Sequence, residues 1–478
     1  MSEEILSRHL TRRDVLRLGA SLGGAAAAGA FLAACSAAPA ASSAASASSA
    51  PSASAAASAA ASASVAPSAS ASASTAQLGG KLVIGAFEDG ALKPFKDTIL
   101  PMFKQATGID VSFLTAPYDS FFSKAFQDGQ SKAGQYDIYI MDDPWIPQYA
   151  AAGILEDLGQ HGIEMDADYP KPFADLGFWP PREGARVKGF ESDTPKLIAL
   201  PTIGDLQTMT YRNDVFTTAP ATWDDIVTQG KAAMTSGKIK YGFVFRGVKG
   251  NPIVTSFYPI FRSFGADFFD DKWNVTFNSD KGKQAADFFV TTLKSLAPKG
   301  VAEFDSDQEG AAILKGDAAA IIQYSGNAIK SDDPAQSKVV GKLDFAVVPK
   351  QEQAIAQIGI FIHGVSASAP NKDNAIAFMK WFATPETQTA LARSGDLPVK
   401  TSAFQDPQAV KDHRLLPVAL AQLNAGAQAR PRTPDWSKIE AIIGEQLNIA
   451  LAAGSGGGAA MDKAATQVKD YLTQQGYF

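Results

Sequence analysis

The sequence predicts an α/β protein whose folded part stands behind a long polar tether. Three observations carry that prediction. From residue 81 onward, apolar runs of strand length alternate with stretches of helical length. Residues 36–78 are almost entirely Ser and Ala, with no large apolar residue except Val65 before Leu78, so they cannot build a core. The single cysteine, Cys35, closes an N-terminal apolar run.

The N-terminal elements come first. Thr11-Arg12-Arg13-Asp14-Val15-Leu16-Arg17 precedes an Ala/Gly-rich run that ends Leu32-Ala33-Ala34-Cys35. A twin-arginine start, a mildly apolar middle and small residues before one Cys resemble a bacterial lipoprotein signal, with residues 1–35 as the signal and Cys35 as the lipidated residue. A transmembrane anchor is the competing reading, because the run is nearly long enough to span. The composition of 36–78 predicts a flexible linker, whose roughly 40 residues would span about 35 Å as a coil.

Lys81-Leu82-Val83-Ile84-Gly85-Ala86-Phe87 has the pattern of a buried strand. A helix is expected over 92–107, a strand over 107–113 and a helix over 118–129. Tyr136–Met141 reads as the next strand and Trp145–Gly153 as the next helix. Strands alternating with helices imply a parallel sheet with covering helices. Farther on, helices are expected at 223–236, 281–296, 309–315, 374–382, 385–393, 436–452 and 461–474. Strands are expected at 319–323 and 343–348. Gly454-Ser455-Gly456-Gly457-Gly458 lacks the Lys-Ser/Thr of a phosphate loop and reads as a helix-breaking turn.

Composition narrows the function. One cysteine permits no internal disulfide, so stability must come from the core, and about 400 residues suffice for two domains. The net charge is −6. Removing residues 1–34 takes away four Lys/Arg and three Asp/Glu and leaves −7. No basic block follows, which argues against a nucleic-acid partner. Four scattered histidines, His9, His161, His363 and His413, have no metal-ligand spacing. No metal or other cofactor is implied. No Gly-x-Ser-x-Gly is present.

An ordered set of motifs resembles the family 1 extracellular solute-binding proteins of ABC importers. It runs from Tyr136-Asp137-Ile138-Tyr139-Ile140-Met141-Asp142-Asp143-Pro144-Trp145 to Ala199-Leu200-Pro201, Asp205 and Tyr211-Arg212-Asn213-Asp214. Pro220-Ala221-Thr222-Trp223, Lys315-Gly316-Asp317, Ala369-Pro370-Asn371-Lys372 and Arg430-Pro431-Arg432-Thr433-Pro434-Asp435-Trp436 follow in order. The resemblance implies a type II clamshell like the periplasmic binding proteins. Two α/β lobes would be joined by hinge crossovers, with residues 79–203 and 361–400 in one lobe and 204–360 and 401–478 in the other. It implies a sugar or sugar alcohol held between the lobes, delivery to ABC permease subunits, and closure by a hinge motion. Location would be extracytoplasmic, with membrane attachment through lipid on Cys35. A monomer is expected.

A polyol needs planar groups for its hydroxyls and an aromatic surface for its C–H face. Asp142 and Asp143, with Trp145 beyond them, follow a strand end, where ligands bind in open α/β sheets. One Asp can also cap the helix near Pro144. Glu88 and Asp89 follow the first strand in the same way. Tyr258 offers a ring from the second lobe, unless it packs with Phe261 and Phe264. The resemblance adds Asp205, Tyr324 after the strand 319–323, and Phe361. In Gly359-Ile360-Phe361 many members have Gly-Gly-Trp, so Ile360 raises the question of how closely a solute can approach. Arg432 and Trp436 complete the set, Arg432 having Asp435 as a competing partner.

Two alternatives remain at this level. The same fold could bind a peptide, polyamine or phosphate ester. A surface-anchored glycoside hydrolase would need opposed carboxyls about 5–9 Å apart, whereas adjacent Asp142 and Asp143 are aimed apart by one strand end. The expected protein is therefore a binding protein and not an enzyme.

Overall fold

A computed structural model describes residues 79–478. The signal, Cys35 and the linker 36–78 lie outside the described residues.

Strand β1 (Lys81–Phe87) buries Leu82, Ile84 and Ala86. A helix over residues 92–107, with a π-helical stretch at Phe95–Ile99, stops at Gly108, whose φ of +75° suits glycine. That stop moves β2 (Asp110–Ala116) three residues beyond the expected 107–113. Helix α1 (Tyr118–Ser131) leads to β3 (Ile138–Asp142). Both β2 and β3 lie parallel to β1, on its two sides. This is the alternation the sequence predicts.

The remaining strands longer than two residues are β4 (Leu200–Ile203), β5 (Gln207–Arg212), β6 (Ala320–Tyr324), β7 (Leu343–Ala346) and β8 (Phe361–Val365). The first sheet has the order β2-β1-β3-β8-β4, with β8 antiparallel to both neighbours. The second has the order β6-β5-β7 and is antiparallel throughout. Parallel pairing thus holds for β1, β2 and β3 but does not extend to the second sheet. An apolar run reports burial, not direction. The partners of β5 come more than 100 residues later, and the intervening path sets their direction.

Buried side chains form two large groups. The first surrounds β1, β3 and β8 and includes Ile84, Ile140, Ile362 and Phe378. The second includes Met209, Trp223, Phe257, Phe289, Ile443 and Val468. Each makes one lobe. The chain passes between them near residues 203–207 and 357–361, and again beyond residue 400. These passages are laced together: Leu206 bridges to Ile358, and Ala356–Gln357 pairs with Ala427–Gln428. Beyond the expected boundary at 400, Ala403, Phe404 and Ala409 group with the first core, whereas Leu415 groups with Phe345 of β7, and Gln422 Oε1 accepts from the Val348 N–H. A helical pattern shows that a helix buries one face, not which lobe receives it.

Four helices matter for the site: α2 (Asn251–Ser263), α3 (Ser306–Leu314), α4 (Trp436–Ala453) and α5 (Gly457–Gln474). Sequence periodicity passed over α2 because Pro252 and Pro259 interrupt it. Pro252 sits in the first turn, where no N–H bond is lost. The glycine-rich turn ends α4 at Gly454 and starts α5 at Gly456, both at φ +79°. Among the described residues, no helix is long and apolar enough to cross a membrane.

Candidate functional site

A cavity of about 690 Å³ lies between the lobes. Its first-lobe wall is built from strand ends. Phe87 ends β1 and Glu88 and Asp89 follow it, Asp142 ends β3 and Trp145 lies just beyond, and Tyr118 and Asp119 open α1. The other wall comes from residues 246–252, the start of α3, the end of β6 and the first turns of α4. Asp205, Gly359, Phe361 and Arg430 form the floor along the lobe passages.

The first wall is an aromatic assembly. Phe87 stacks on Phe361 at 5.2 Å, and meets Tyr118 at 5.1 Å and Trp145 at 5.4 Å edge-on. Trp145 is only 2% exposed, so it supports the neighbouring rings and gives the cavity little of its own face.

Asp142 satisfies three partners from its strand end. Its Oδ1 accepts from the Asp143 backbone N–H at 2.9 Å and from Arg430 Nη2 at 2.6 Å. Its Oδ2 accepts from the Tyr118 hydroxyl at 2.7 Å. It is therefore both a cap of the following turn and a cavity residue. Asp143 points the other way, as successive residues do at a strand end. It is fully buried, off the cavity, and accepts from the same Arg430 nitrogen. Burial pushes its carboxyl up in spite of Arg430.

Arg430 was not singled out in sequence; Arg432 was. The structure gives Arg430 the cavity and turns Arg432 away. Arg432 Nη2 donates to the carbonyls of Leu176 at 3.0 Å and Phe178 at 2.8 Å. That pins the C-terminal segment to the first lobe, and burial lowers its guanidinium to about 10. Its competing partner Asp435 instead accepts from Tyr471 and Tyr477 at 2.6 and 2.8 Å. Two arginines, two residues apart in an irregular segment, carry no local signal that separates them.

Tyr258 also does not line the cavity. Its ring is buried in the second lobe, and its hydroxyl donates to the Ala429 carbonyl at 3.0 Å. Arg262 Nη2 donates to Gln428 Oε1 at 2.6 Å. Together they clamp the segment that presents Arg430. Trp436 is core as well, edge-on to Phe268 at 5.2 Å. Its helix α4 turns Ser437, Glu440 and Ala441 to the cavity instead. Glu440 Oε1 accepts from Asn251 Nδ2 at 3.1 Å, and burial raises its carboxyl.

Asp205 reaches the floor and accepts from the Ser325 hydroxyl and, at 3.4 Å, from the Gly326 backbone N–H. Burial holds its carboxyl well above the ordinary range. Tyr324 lines the opposite wall, and its hydroxyl donates to Gln357 Oε1 at 2.8 Å. A Cβ on Gly359 would stand 2.4 Å from the Tyr324 ring, so glycine is what lets that ring lie on the backbone. Ile360 is fully buried in the first core. The side chain that replaces the second glycine therefore faces away from the cavity.

Seven of the expected residues thus line one cavity: Glu88, Asp89, Asp142, Trp145, Asp205, Tyr324 and Phe361. Asp143, Tyr258, Arg432 and Trp436 lie behind it. Among the described residues, no group of three or more His, Cys, Asp or Glu side chains could hold a metal ion.

Residues 85–389 match the family model described as bacterial extracellular solute-binding protein. A probable amino-acid ABC transporter periplasmic-binding protein, y4oP of Sinorhizobium fredii, is 24% identical over 411 residues, 83% of this chain and 91% of that protein. The mannitol-binding protein of Pseudomonas aeruginosa is 27% identical over 263 residues, 53% of this chain and 57% of that one. A solute-binding protein of Agrobacterium radiobacter K84, solved with ribitol, superposes with a TM-score of 0.71 at 24% identity, over 83% of this chain and all of that one. Maltose-bound MalE3 of T. maritima gives 0.70 at 21% identity, over 82% of this chain and 100% of that one. These structures share the two-lobe fold.

Proposed function

The chain belongs to the bacterial extracellular solute-binding protein family, and from that premise we propose that it captures a carbohydrate or sugar alcohol between its lobes for an ABC importer. One observation carries the solute class. Phe87 and Tyr118, with Phe361 of the floor stacked on Phe87, stand beside Asp142, Glu88 and Asp89, offering an aromatic surface for a C–H face together with acceptors for hydroxyls. Its relatives include mannitol- and maltotriose-binding proteins. The cavity volume falls in the range that encloses a small oligosaccharide or a polyol.

The protein acts as a monomer without catalysing a reaction, and membrane attachment runs through lipid on Cys35. Mass spectrometry of the mature N-terminus tests the last point: an unmodified Cys35 sinks it. A thermal-shift screen of monosaccharides, disaccharides, sugar alcohols and amino acids tests the solute class. Ligand binding to the folded form raises its melting temperature. A shift with sugars or polyols that disappears in Asp142→Ala supports the reading, and a screen silent for both classes rejects it.

A second reading, an amino-acid or other amine solute, has its own observation. Glu88, Asp89, Asp119 and Asp142 all line the first wall, and Arg430 is the cation that pairs there. The relative y4oP is named as a probable amino-acid binder. The amino acids in the same screen separate the two readings.

A further inference from the structure

Behind the second-lobe wall lies a small, partly open chamber of about 10 Å³, the room of one water. It shares Arg246, Ser306, Tyr324 and Asn327 with the solute cavity. Its inner face is Glu309, on the first turn of α3, opposite Thr255 and Ser256 of α2. Glu309 is 3% exposed, and its Oε1 has no hydrogen-bond partner; nor has Thr255 Oγ1. A buried carboxyl left this way is costly when ionised.

Arg246 lines this chamber with Glu309 and pairs with a second carboxyl. Its Nε donates to Asp305 Oδ1 at 2.9 Å, which holds the guanidinium at the solute cavity. Across the chamber waits Glu309, one helical turn after Asp305 on the same helix. The charged or titratable groups lining the chamber with Glu309 are Arg246 and Tyr324, and Asp305 adds its charge from the helix cap. From β5 and β6, Gln207 and Gln323 bring only amides, and α2 brings only hydroxyls.

We propose that Glu309 is a positioning residue for Arg246: neutral, it leaves the guanidinium on Asp305 and turned to the solute, and ionised, it draws the guanidinium inward. The inference rests on the proposed solute reading. Burial pushes the Glu309 carboxyl up to about 8, with Asp305 adding to the rise and Arg246 opposing it. The exchange of partners therefore falls just above neutrality, and solute affinity drops there.

The full chain, Glu309→Gln and Arg246→Ala are titrated with D-mannitol and with maltotriose from about pH 6 to about pH 9.5. The Glu309 carboxyl and the Arg246 Nε are followed by NMR without solute. The wild-type Kd is expected to rise at least about tenfold across the window, the loss of one charge-assisted hydrogen bond. Glu309→Gln stays level, and Arg246→Ala loses the alkaline step. A level wild-type Kd, or the same rise in Glu309→Gln, overturns the inference. If neither probe binds, the NMR measurement decides the inference alone. A Glu309 carboxyl titrating in the ordinary glutamate range then overturns it. Titration above neutrality with a matching Arg246 shift supports it.

Discussion

The two walls of the cavity are built differently. The first-lobe wall is rigid and acidic: packed rings fix Phe87, Tyr118 and Trp145, and four carboxylates line it. The second-lobe wall is polar and balanced: Arg246 and Lys249 face Asp305 and Glu440, and helix α2 opens there at Gly250 without a side-chain cap. The difference teaches a division of labour. Parallel strand ends give fixed recognition, because each is anchored on both sides in the sheet. Loops and helix starts give donors that can move with the lobe.

The largest effect should come from breaking the link between the walls. Arg430→Met strands buried Asp143 without its cation, and breaking a buried pair costs about 3–5 kcal/mol. Chemical denaturation should show that loss, with solute binding abolished; a change under about 1 kcal/mol would mean that Arg430 holds nothing together. Next is Gly359→Ala, which drives a methyl into the Tyr324 ring. Overpacking of this kind costs about 1–3 kcal/mol, and calorimetry should show weaker binding. Unchanged affinity would remove Tyr324 from the second wall.

A paired substitution sharpens the contrast. Asp142→Asn should weaken binding about tenfold or more, since its partner Arg430 is buried and charged. Lys249→Ala, exposed, should weaken it less than about threefold, an effect lost at high salt. Equal losses would erase the difference between the walls. Smaller still is Tyr258→Phe, which removes one hydrogen bond to the Ala429 carbonyl. About 1 kcal/mol of stability is expected to go, and none would show that the clamp is idle.

Stability should also carry two pH windows of opposite sign. Asp406, bridged by Arg393, is held at about 2. Its folded value is depressed, so its contribution is present above about 4 and lost as pH falls toward 2. Glu309 is raised to about 8 from 4.5. The native state then holds a proton that the unfolded state releases, so stability falls as pH rises from about 4.5 to about 8. Urea titrations should show that second slope diminished in Glu309→Gln. An unchanged slope would assign it to other buried carboxyls such as Asp205 and Asp396, which burial also raises.

Much of the first wall was legible in the residues. The runs ending at Phe87 and Asp142 declared strands, and strand ends in an α/β sheet declare a ligand edge. Glu88, Asp89 and Asp142 followed from position alone. The floor and second wall were less accessible. Tyr258 and Trp436 look like cavity aromatics by type, yet each packs inward on Phe268. Arg246, Arg430 and Glu440 lack a local mark, because each matters through partners at least 59 residues away.

The sequence by itself determined the βαβ start, the glycine-rich turn at 454–458, and the family to which the chain belongs. Those properties rest on burial periodicity, backbone freedom and ordered motifs, all local to the chain. Only the tertiary structure decided which arginine meets Asp142 and that the second sheet is antiparallel. It also placed Glu309 behind Arg246. Such choices depend on long-range packing and on the loss of water around a charge, and neither is written in the spacing of residues.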